Sequence, residues 1–160
     1  LFPYTTLFRS ILSITHHADS QSIDLNVLLQ QKKYTIFYFY PKDDTPGCTV
    51  ENKNFSDYYG EFIKLDCQVF GVSRDNESSH TKFCTTYDLK VPLVSDKDLL
   101  LQQDSRFLVW KEKSMYGKKY MGTERSTFLL NDKGHVMKEW RKVSPQKHTQ
   151  EVLAFVQNLV

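Results

Sequence analysis

The chain has 160 residues and a mass of 18.8 kDa, which is enough to bury one hydrophobic core and fits one domain. Its 21 basic and 19 acidic residues leave a net charge of +2, too little to indicate nucleic-acid binding, and no window approaches the roughly 20 apolar residues of a membrane span. From the charge and the lack of a span we expect no nucleic-acid or membrane partner. Three cysteines do not make a disulfide scaffold, so we expect a reduced, cytoplasmic protein.

The first part of the chain predicts strands followed by a helix. Residues 11–29 read as a strand pair with the turn A-D-S-Q-S at 18–22. The apolar and aromatic run at 34–40 predicts a strand buried on both faces. Pro41, Pro46 and Gly47 then turn the chain out of the sheet, and the apolar spacing at 49–64 predicts an amphipathic helix. Cys48 therefore falls in the first turn of a helix.

The remainder alternates between strands and helices. We expect strands at 68–73 and 91–94, helices at 76–87 and 98–107, a hairpin of 126–130 with 135–140, and a last helix opened by Ser144 and Pro145. Residues 110–122 read as one short basic, aromatic loop, a wall for substrate or reductant rather than a nucleic-acid surface. This order predicts an α/β fold with a central mixed sheet flanked by helices.

The start of the Cys48 helix suits a reactive thiol. Unpaired N–H groups and the positive end of the helix dipole favour the thiolate, which is the nucleophilic form. Thr45 lies three residues upstream, where its hydroxyl can turn toward the sulfur or toward a bound oxygen. A thiolate beside such donors is suited to attack on a peroxide O–O bond, where negative charge develops on the departing oxygen.

The segment Y-F-Y-P-K-D-D-T-P-G-C-T-V-E at 38–51 resembles the peroxiredoxin signature Pro-x-x-x-Thr-x-x-Cys, met by Pro41, Thr45 and Cys48. G-V-S-R-D, P-L-V-S-D, T-E-R-S-T-F-L and W-R-K-V follow in the order of the Q-type, or bacterioferritin-comigratory, subfamily. The resemblance implies a thioredoxin-like fold with peroxiredoxin insertions and a monomer. Because the sequence has no linker, internal repeat or low-complexity stretch, we expect one domain over residues 11–160. Residues 1–10 do not resemble the family's opening, so we expect that segment to be non-native or unstructured.

The same resemblance implies roles for further residues. It places Arg125 against the cysteine sulfur, where a guanidinium would favour the thiolate and donate to the peroxide oxygen. Glu51, one helical turn after Cys48, would orient that arginine by a bidentate contact, and it also suits the start of the helix. No metal, haem or flavin is needed for this chemistry.

The sulfenic acid formed on Cys48 needs a second thiol, the resolving cysteine, to convert it to a disulfide. In many members of the subfamily this cysteine lies five positions after the first, but that position is Lys53 here. A second group of the subfamily carries this cysteine on the following helix, which implies Cys84 here. Both helices would then have to unwind locally, since a disulfide needs Cα atoms roughly 4.4–6.8 Å apart. A dithiol protein such as thioredoxin would reduce the Cys48–Cys84 bond. Alternatively, Cys84 only packs in the core and an external thiol completes the cycle.

Other interpretations are weaker. Cys67 reads as a packing residue, and zinc binding by Cys67, His80 and Cys84 would have three ligands at irregular spacing. A plain thioredoxin-type oxidoreductase would need a Cys-x-x-Cys pair at the helix start, which is absent from the sequence. A non-enzymatic redox sensor using Cys48 and Cys84 is the remaining alternative.

Overall fold

A computed structural model describes residues 10–160 of the chain. Residues 1–9 of the segment that we expected to be non-native lie outside the described part. The strands are β1 (Ile11–His16), β2 (Asp19–Asp24), β3 (Tyr34–Phe39), β4 (Cys67–Ser73), β5 (Leu93–Ser95), β6 (Trp110–Met115), β7 (Lys118–Thr123), β8 (Ser126–Asn131) and β9 (Val136–Trp140). The helices are α1 (Leu25–Leu29), α2 (Pro46–Asp57), α3 (Tyr59–Lys64), α4 (Glu77–Tyr87) and α5 (His148–Leu159).

Seven strands form one mixed sheet in the order β2-β1-β5-β4-β3-β8-β9. Strand β4 pairs in parallel with both β3 and β5, whereas β8 pairs antiparallel with β3 and with β9. The predicted central mixed sheet flanked by helices is therefore confirmed. Strands β6 and β7 form a separate two-stranded hairpin, where we had expected a loop.

The sheet separates two apolar clusters, because successive side chains of a strand point to opposite faces. Every residue of β3 is buried. Its even-numbered aromatics, Tyr34, Tyr38 and the adjoining Tyr40, lie in a cluster with residues of α2, α3, α4 and α5. Phe37 and Phe39 lie in the other cluster, with α1 and the segment before β6. Cys48 and Cys84 both belong to the first cluster, so the two sulfur-bearing helices cover the same face.

The predicted helix at 98–107 is wrong, because this segment is a series of turns. The Asp96 carboxylate accepts hydrogen bonds from the amides of Leu101 and Gln102 at 3.0 and 2.9 Å, in place of helical carbonyls. Leu99 also has a φ of 62°, which a right-handed helix does not accommodate.

Several other boundaries also differ from the prediction, including that of the strand expected at 91–94, which is β5 (Leu93–Ser95). The β1–β2 turn lies at 17–18, with His17 at a φ of 56°, so most of the predicted turn at 18–22 is strand. The predicted helix at 49–64 begins earlier and is interrupted at Tyr58 to give α2 and α3. Ser144 does not cap the last helix, which begins at His148; its hydroxyl instead donates to the side-chain oxygen of Gln146.

Candidate active site

Cys48 is the third residue of α2, at the point where the chain leaves the buried strand β3. Thr45 precedes the helix with extended φ and ψ of −96° and 156°, and Pro46 occupies its first position. Proline suits this position because its missing N–H would have no partner inside the helix. Cys48 is only 1% exposed, so the rigid strand and the first helical turn hold the sulfur at the edge of the core.

Arg125 lies beside Cys48 because of the pairing between β8 and β3. Ser126 at the start of β8 is opposite Phe39 at the end of β3, so Arg125 comes to the strand end from which the cysteine loop departs. Its Nη2 atom lies 3.4 Å from the sulfur of Cys48, and its Nη1 atom donates to Glu51 Oε1 at 2.7 Å. The structure thus brings Cys48, Glu51 and Arg125 together, with one carboxylate oxygen on the arginine rather than the expected two.

Burial sets the electrostatics of this group. Burial raises the pKa of Glu51 from 4.5 to about 7, although the positive charge and hydrogen bond of Arg125 oppose the rise. Its Oε2 atom is buried without a hydrogen-bond partner among the described residues. For Arg125, burial would lower the pKa, but the charges of Glu51 and Cys48 outweigh it and raise the pKa, so the guanidinium stays protonated.

Gly47 is needed for the close approach of Arg125 to the helix start. A Cβ atom on Gly47 would lie 3.3 Å from Arg125 Nη2 and 3.5 Å from Pro145 Cγ. The first distance is tighter than ordinary van der Waals contact, so a side chain here would push against the guanidinium. The glycine therefore serves packing at the site as well as the turn.

Thr45 and Pro41 lie on the same loop as the cysteine. The Thr45 hydroxyl donates to the Lys42 carbonyl oxygen at 2.9 Å, and its orientation toward the sulfur or a bound oxygen stays a prediction. Pro41 lies at the rim of a cavity of about 520 Å³, together with cationic and aromatic side chains of the β6–β7 hairpin and of Arg74. Arg74 covers the Trp110 ring, with its guanidinium carbon 4.6 Å from the ring centroid.

Cys84 lies on α4 and, like Cys48 and Cys67, is a free and buried thiol. Burial raises the pKa of Cys84 to about 11 and that of Cys67 to about 12. Cys67 opens β4 inside the core, as expected of a packing residue. Both nitrogens of His80 face oxygen partners, and residues 10–160 contain no group of three metal-binding side chains, so the zinc arrangement does not fit.

Sequence reasoning missed two groups of residues around the cysteine. Tyr38 donates to Asn52 Oδ1 at 2.6 Å, and Asn52 donates to the Cys48 carbonyl oxygen at 2.8 Å, so a buried chain of bonds ties the first turn of α2 to β3. Lys113 of β6 is the second of these, and burial and the positive charge of Arg125 lower its pKa. Only the four-residue spacing of Cys48 and Asn52 gave a signal in the sequence.

A free cysteine in the first turn of a helix, with a guanidinium on its sulfur and a mixed sheet beneath it, defines a thiol enzyme of thioredoxin-like fold. Residues 11–139 match the AhpC/TSA family. Peroxiredoxin Bcp of Xanthomonas campestris pv. campestris is 49% identical over 121 residues, which cover 76% of this chain and 74% of that protein. Peroxiredoxin Bcp of Bacillus subtilis is 44% identical over 127 residues, or 79% and 80% of the two proteins.

Solved structures agree with these sequence matches. Peroxiredoxin Q of Xanthomonas campestris superposes with a TM-score of 0.84 at 42% identity, over 93% of this chain and 90% of that one. A mutant PrxQ of Xylella fastidiosa gives a TM-score of 0.86 at 34% identity, over 99% and 93%. The chain belongs to the AhpC/TSA family and is a peroxiredoxin, a thiol peroxidase that uses a hydroperoxide and a thiol reductant. The thioredoxin-like fold expected from the sequence is thereby confirmed.

Proposed function

We propose that Cys48 is the peroxidatic cysteine of this enzyme and that Cys84 is its resolving cysteine. The enzyme reduces hydrogen peroxide and organic hydroperoxides, and thioredoxin or a similar dithiol protein regenerates it. It acts as a cytoplasmic monomer, and residues 11–160 form its single domain. The contact between Arg125 Nη2 and the Cys48 sulfur, at 3.4 Å, is the observation that carries this proposal.

The oxidation step follows from this contact. The Cys48 thiolate attacks one oxygen of the hydroperoxide to form a sulfenic acid, and the O–O bond breaks. The departing alkoxide or hydroxide takes up a proton and leaves as an alcohol or water. Arg125 stabilises the thiolate and donates to the oxygen that gains charge, while Glu51 fixes the orientation of the guanidinium. Pro41 ends the strand, and Thr45 supplies a hydroxyl at the helix start.

The resolving step consumes the sulfenic acid. The Cys84 thiolate attacks the Cys48 sulfur, the S–O bond breaks, and hydroxide leaves as water on taking up the proton released by Cys84. A dithiol protein then reduces the disulfide by two successive exchanges. Cys84 is fully buried on α4, so this step requires that helix to open. The position of Cys84 in the same core cluster as Cys48 supports the assignment.

The relatives support the substrate class. A structural study of the Xanthomonas campestris bacterioferritin comigratory protein concerns its alkyl peroxide reduction activity, and that protein is 40% identical over 94% of this chain. We therefore assign alkyl hydroperoxides as substrates beside hydrogen peroxide. No helix among residues 10–160 is long and apolar enough to cross a membrane.

One experiment tests the assignment of both cysteines. The reduced protein receives one equivalent of hydrogen peroxide, and its peptides are mapped by mass without reduction. We expect a linked Cys48–Cys84 peptide, which Cys48→Ser and Cys84→Ser both abolish and Cys67→Ser, the matched control, retains. Sulfenic or sulfinic acid on Cys48 with Cys84 free would indicate a one-cysteine peroxidase served by an external thiol. An unmodified Cys48 would refute its peroxidatic role.

Turnover separates the enzyme from a redox sensor. With thioredoxin, thioredoxin reductase and NADPH present, an enzyme consumes many equivalents of hydroperoxide per chain. A sensor oxidises quickly but turns over slowly, so oxidation of Cys48 without sustained NADPH consumption, also with other dithiol reductants, would contradict the proposed catalytic cycle.

A further inference from the structure

The loop at 41–45, which leads into α2, is joined to helix α4 through Asp43. Asp43 Oδ2 accepts a hydrogen bond from the Ser79 hydroxyl at 2.8 Å and lies 2.7 Å from His80 Nδ1. The side chain of His80 is fully buried and that of Asp43 is 4% exposed. Because water does not compete at this position, these bonds hold the loop and the helix firmly together.

Asp43 is itself anchored to residues that follow strands β3 and β4. Its Oδ1 atom accepts from the Tyr40 hydroxyl at 2.6 Å, and its backbone N–H donates to Asp75 Oδ2 at 2.9 Å. The other ring nitrogen of His80 lies 3.1 Å from the Val94 carbonyl oxygen on β5. Both ring nitrogens of His80 therefore lie within hydrogen-bond distance of oxygen atoms, one on the loop and one on the sheet.

A second bond joins the same loop to the far end of α4. The Tyr87 hydroxyl donates to Asp44 Oδ1 at 2.5 Å. Cys84 lies between this bond and the Asp43 cluster, so the loop holds the helix on both sides of the thiol. His80 and Cys84 are one turn apart and share the buried face of the helix.

This geometry opposes release of Cys84. A disulfide with Cys48 requires the Cα atoms to come within roughly 4.4–6.8 Å, and the side chain of Cys84 must leave the core to reach the sulfur. Moving that face of α4 also withdraws His80 from Asp43 and from Val94. The bonds of Asp43 to Ser79 and His80 are therefore lost when the helix opens and are regained when it closes.

Resting on the proposed function, we propose that Asp43 is a positioning residue for the disulfide-forming step, which sets how readily α4 releases Cys84. The bonds from Ser79 and His80 to Asp43 favour the closed helix and so prolong the life of the sulfenic acid. Neither Asp43 nor His80 takes part in attack on the hydroperoxide. Weakening the cluster should speed resolution without speeding oxidation of Cys48.

Two variants and a matched control test this role. Ser79→Ala removes one bond to Asp43, and Asp43→Asn disturbs the pairing with both Ser79 and His80. The control is Thr85→Val, which removes an exposed hydroxyl of α4 that bonds only to carbonyl oxygens of its own helix, among the described contacts. Stopped-flow mixing with hydrogen peroxide measures Cys48 oxidation, and acid quenching followed by mass mapping measures disulfide formation in each variant.

We expect the ratio of the disulfide rate to the oxidation rate to rise about two- to tenfold in Ser79→Ala, as loss of one hydrogen bond predicts. The ratio should rise further in Asp43→Asn and stay within about twofold of wild type in Thr85→Val. Amide hydrogen exchange in α4 should accelerate in the variants whose ratio rises. In the same variants, excess peroxide should overoxidise a smaller fraction of Cys48 than in wild type. A merely structural role would lower the melting temperature without raising this ratio.

Unchanged ratios and unchanged α4 exchange in Ser79→Ala would overturn the role of Asp43, while the disulfide itself still formed. Failure of the wild type to form the Cys48–Cys84 bond would instead remove the proposed resolving step, and with it this inference. The milder Ser79→Ala variant keeps the test decisive if Asp43→Asn does not fold.

Discussion

Replacing Glu51 with glutamine changes the charge of the site and little else. Glu51 is completely buried, with Oε1 on the guanidinium of Arg125 and Oε2 without a partner among the described residues. Glutamine keeps the shape and the acceptor for Arg125, but it cannot titrate. We therefore expect Glu51→Gln to alter how the stability of the protein depends on pH.

The magnitude follows from the pKa of Glu51, which burial raises from 4.5 to about 7. A carboxyl that binds its proton more tightly when folded stabilises the protein at low pH, and this contribution is lost as pH rises through the folded value. Between pH 5 and pH 8 the wild type should lose about 2–3 kcal/mol of unfolding free energy from this group. Glu51→Gln lacks this loss, so it should gain about that amount relative to wild type over the same interval.

Urea denaturation at pH 5, 6, 7 and 8 measures the difference between the two proteins. Glu61→Gln serves as control, because Glu61 is exposed and forms a surface pair with Lys64 at 3.4 Å. The comparison with wild type is essential, since burial lowers the pKa of His148 from 6.5 to about 4 and destabilises the fold as pH falls below 6.5. A difference between wild type and Glu51→Gln that is the same at pH 5 and pH 8 would refute the reasoning.

Two further predictions concern the site and the sheet. Arg125→Lys keeps a positive charge but loses the planar guanidinium that contacts both the Cys48 sulfur and the Glu51 carboxylate. Oxidation of Cys48 by peroxide, measured by stopped flow, should therefore slow about 10- to 100-fold. An unchanged rate would argue against the contact. Gly71→Ala places a Cβ atom 2.8 Å from the Tyr38 ring and should lower the free energy of unfolding by about 1–3 kcal/mol, as measured by urea denaturation. Gly60→Ala is the control and should be neutral or stabilising, because its Cβ atom would meet nothing within 4 Å. Equal effects of the two substitutions would contradict this packing.

The parts of the site that could be predicted from the sequence are local. The buried strand, the prolines and the helix that begins near Cys48 are adjacent in the chain, so periodicity and turn chemistry were sufficient to find them. Arg125 lies 77 residues from Cys48, and its contact depends on the register of β8 against β3. Only the family resemblance could place it there, because no local pattern specifies such a pairing.

The errors arise where a side chain replaces a backbone partner. At 98–107 the carboxylate of Asp96 binds the amides that a helix would have used. At 144–147, Asn54 of α2 donates to the carbonyl oxygen of Gln146 at 3.1 Å, which holds this segment against a different helix and delays the start of α5. Asp43 was part of the recognised motif, but its bonds reach α4, and no spacing in the sequence reveals them.

Burial of Cys84 gives helix opening a chemical consequence as well as a geometric one. In the closed helix burial raises the pKa of this thiol from 9.0 to about 11, so very little thiolate is present near neutral pH. Release of Cys84 into water removes the effect of burial on its pKa, which increases the thiolate fraction about 100-fold. Opening of α4 thus delivers the sulfur and activates it in the same movement. On the proposed resolving role of Cys84, a closed helix keeps this thiol inert, and the strength of the anchoring at Asp43 sets how long the sulfenic acid survives.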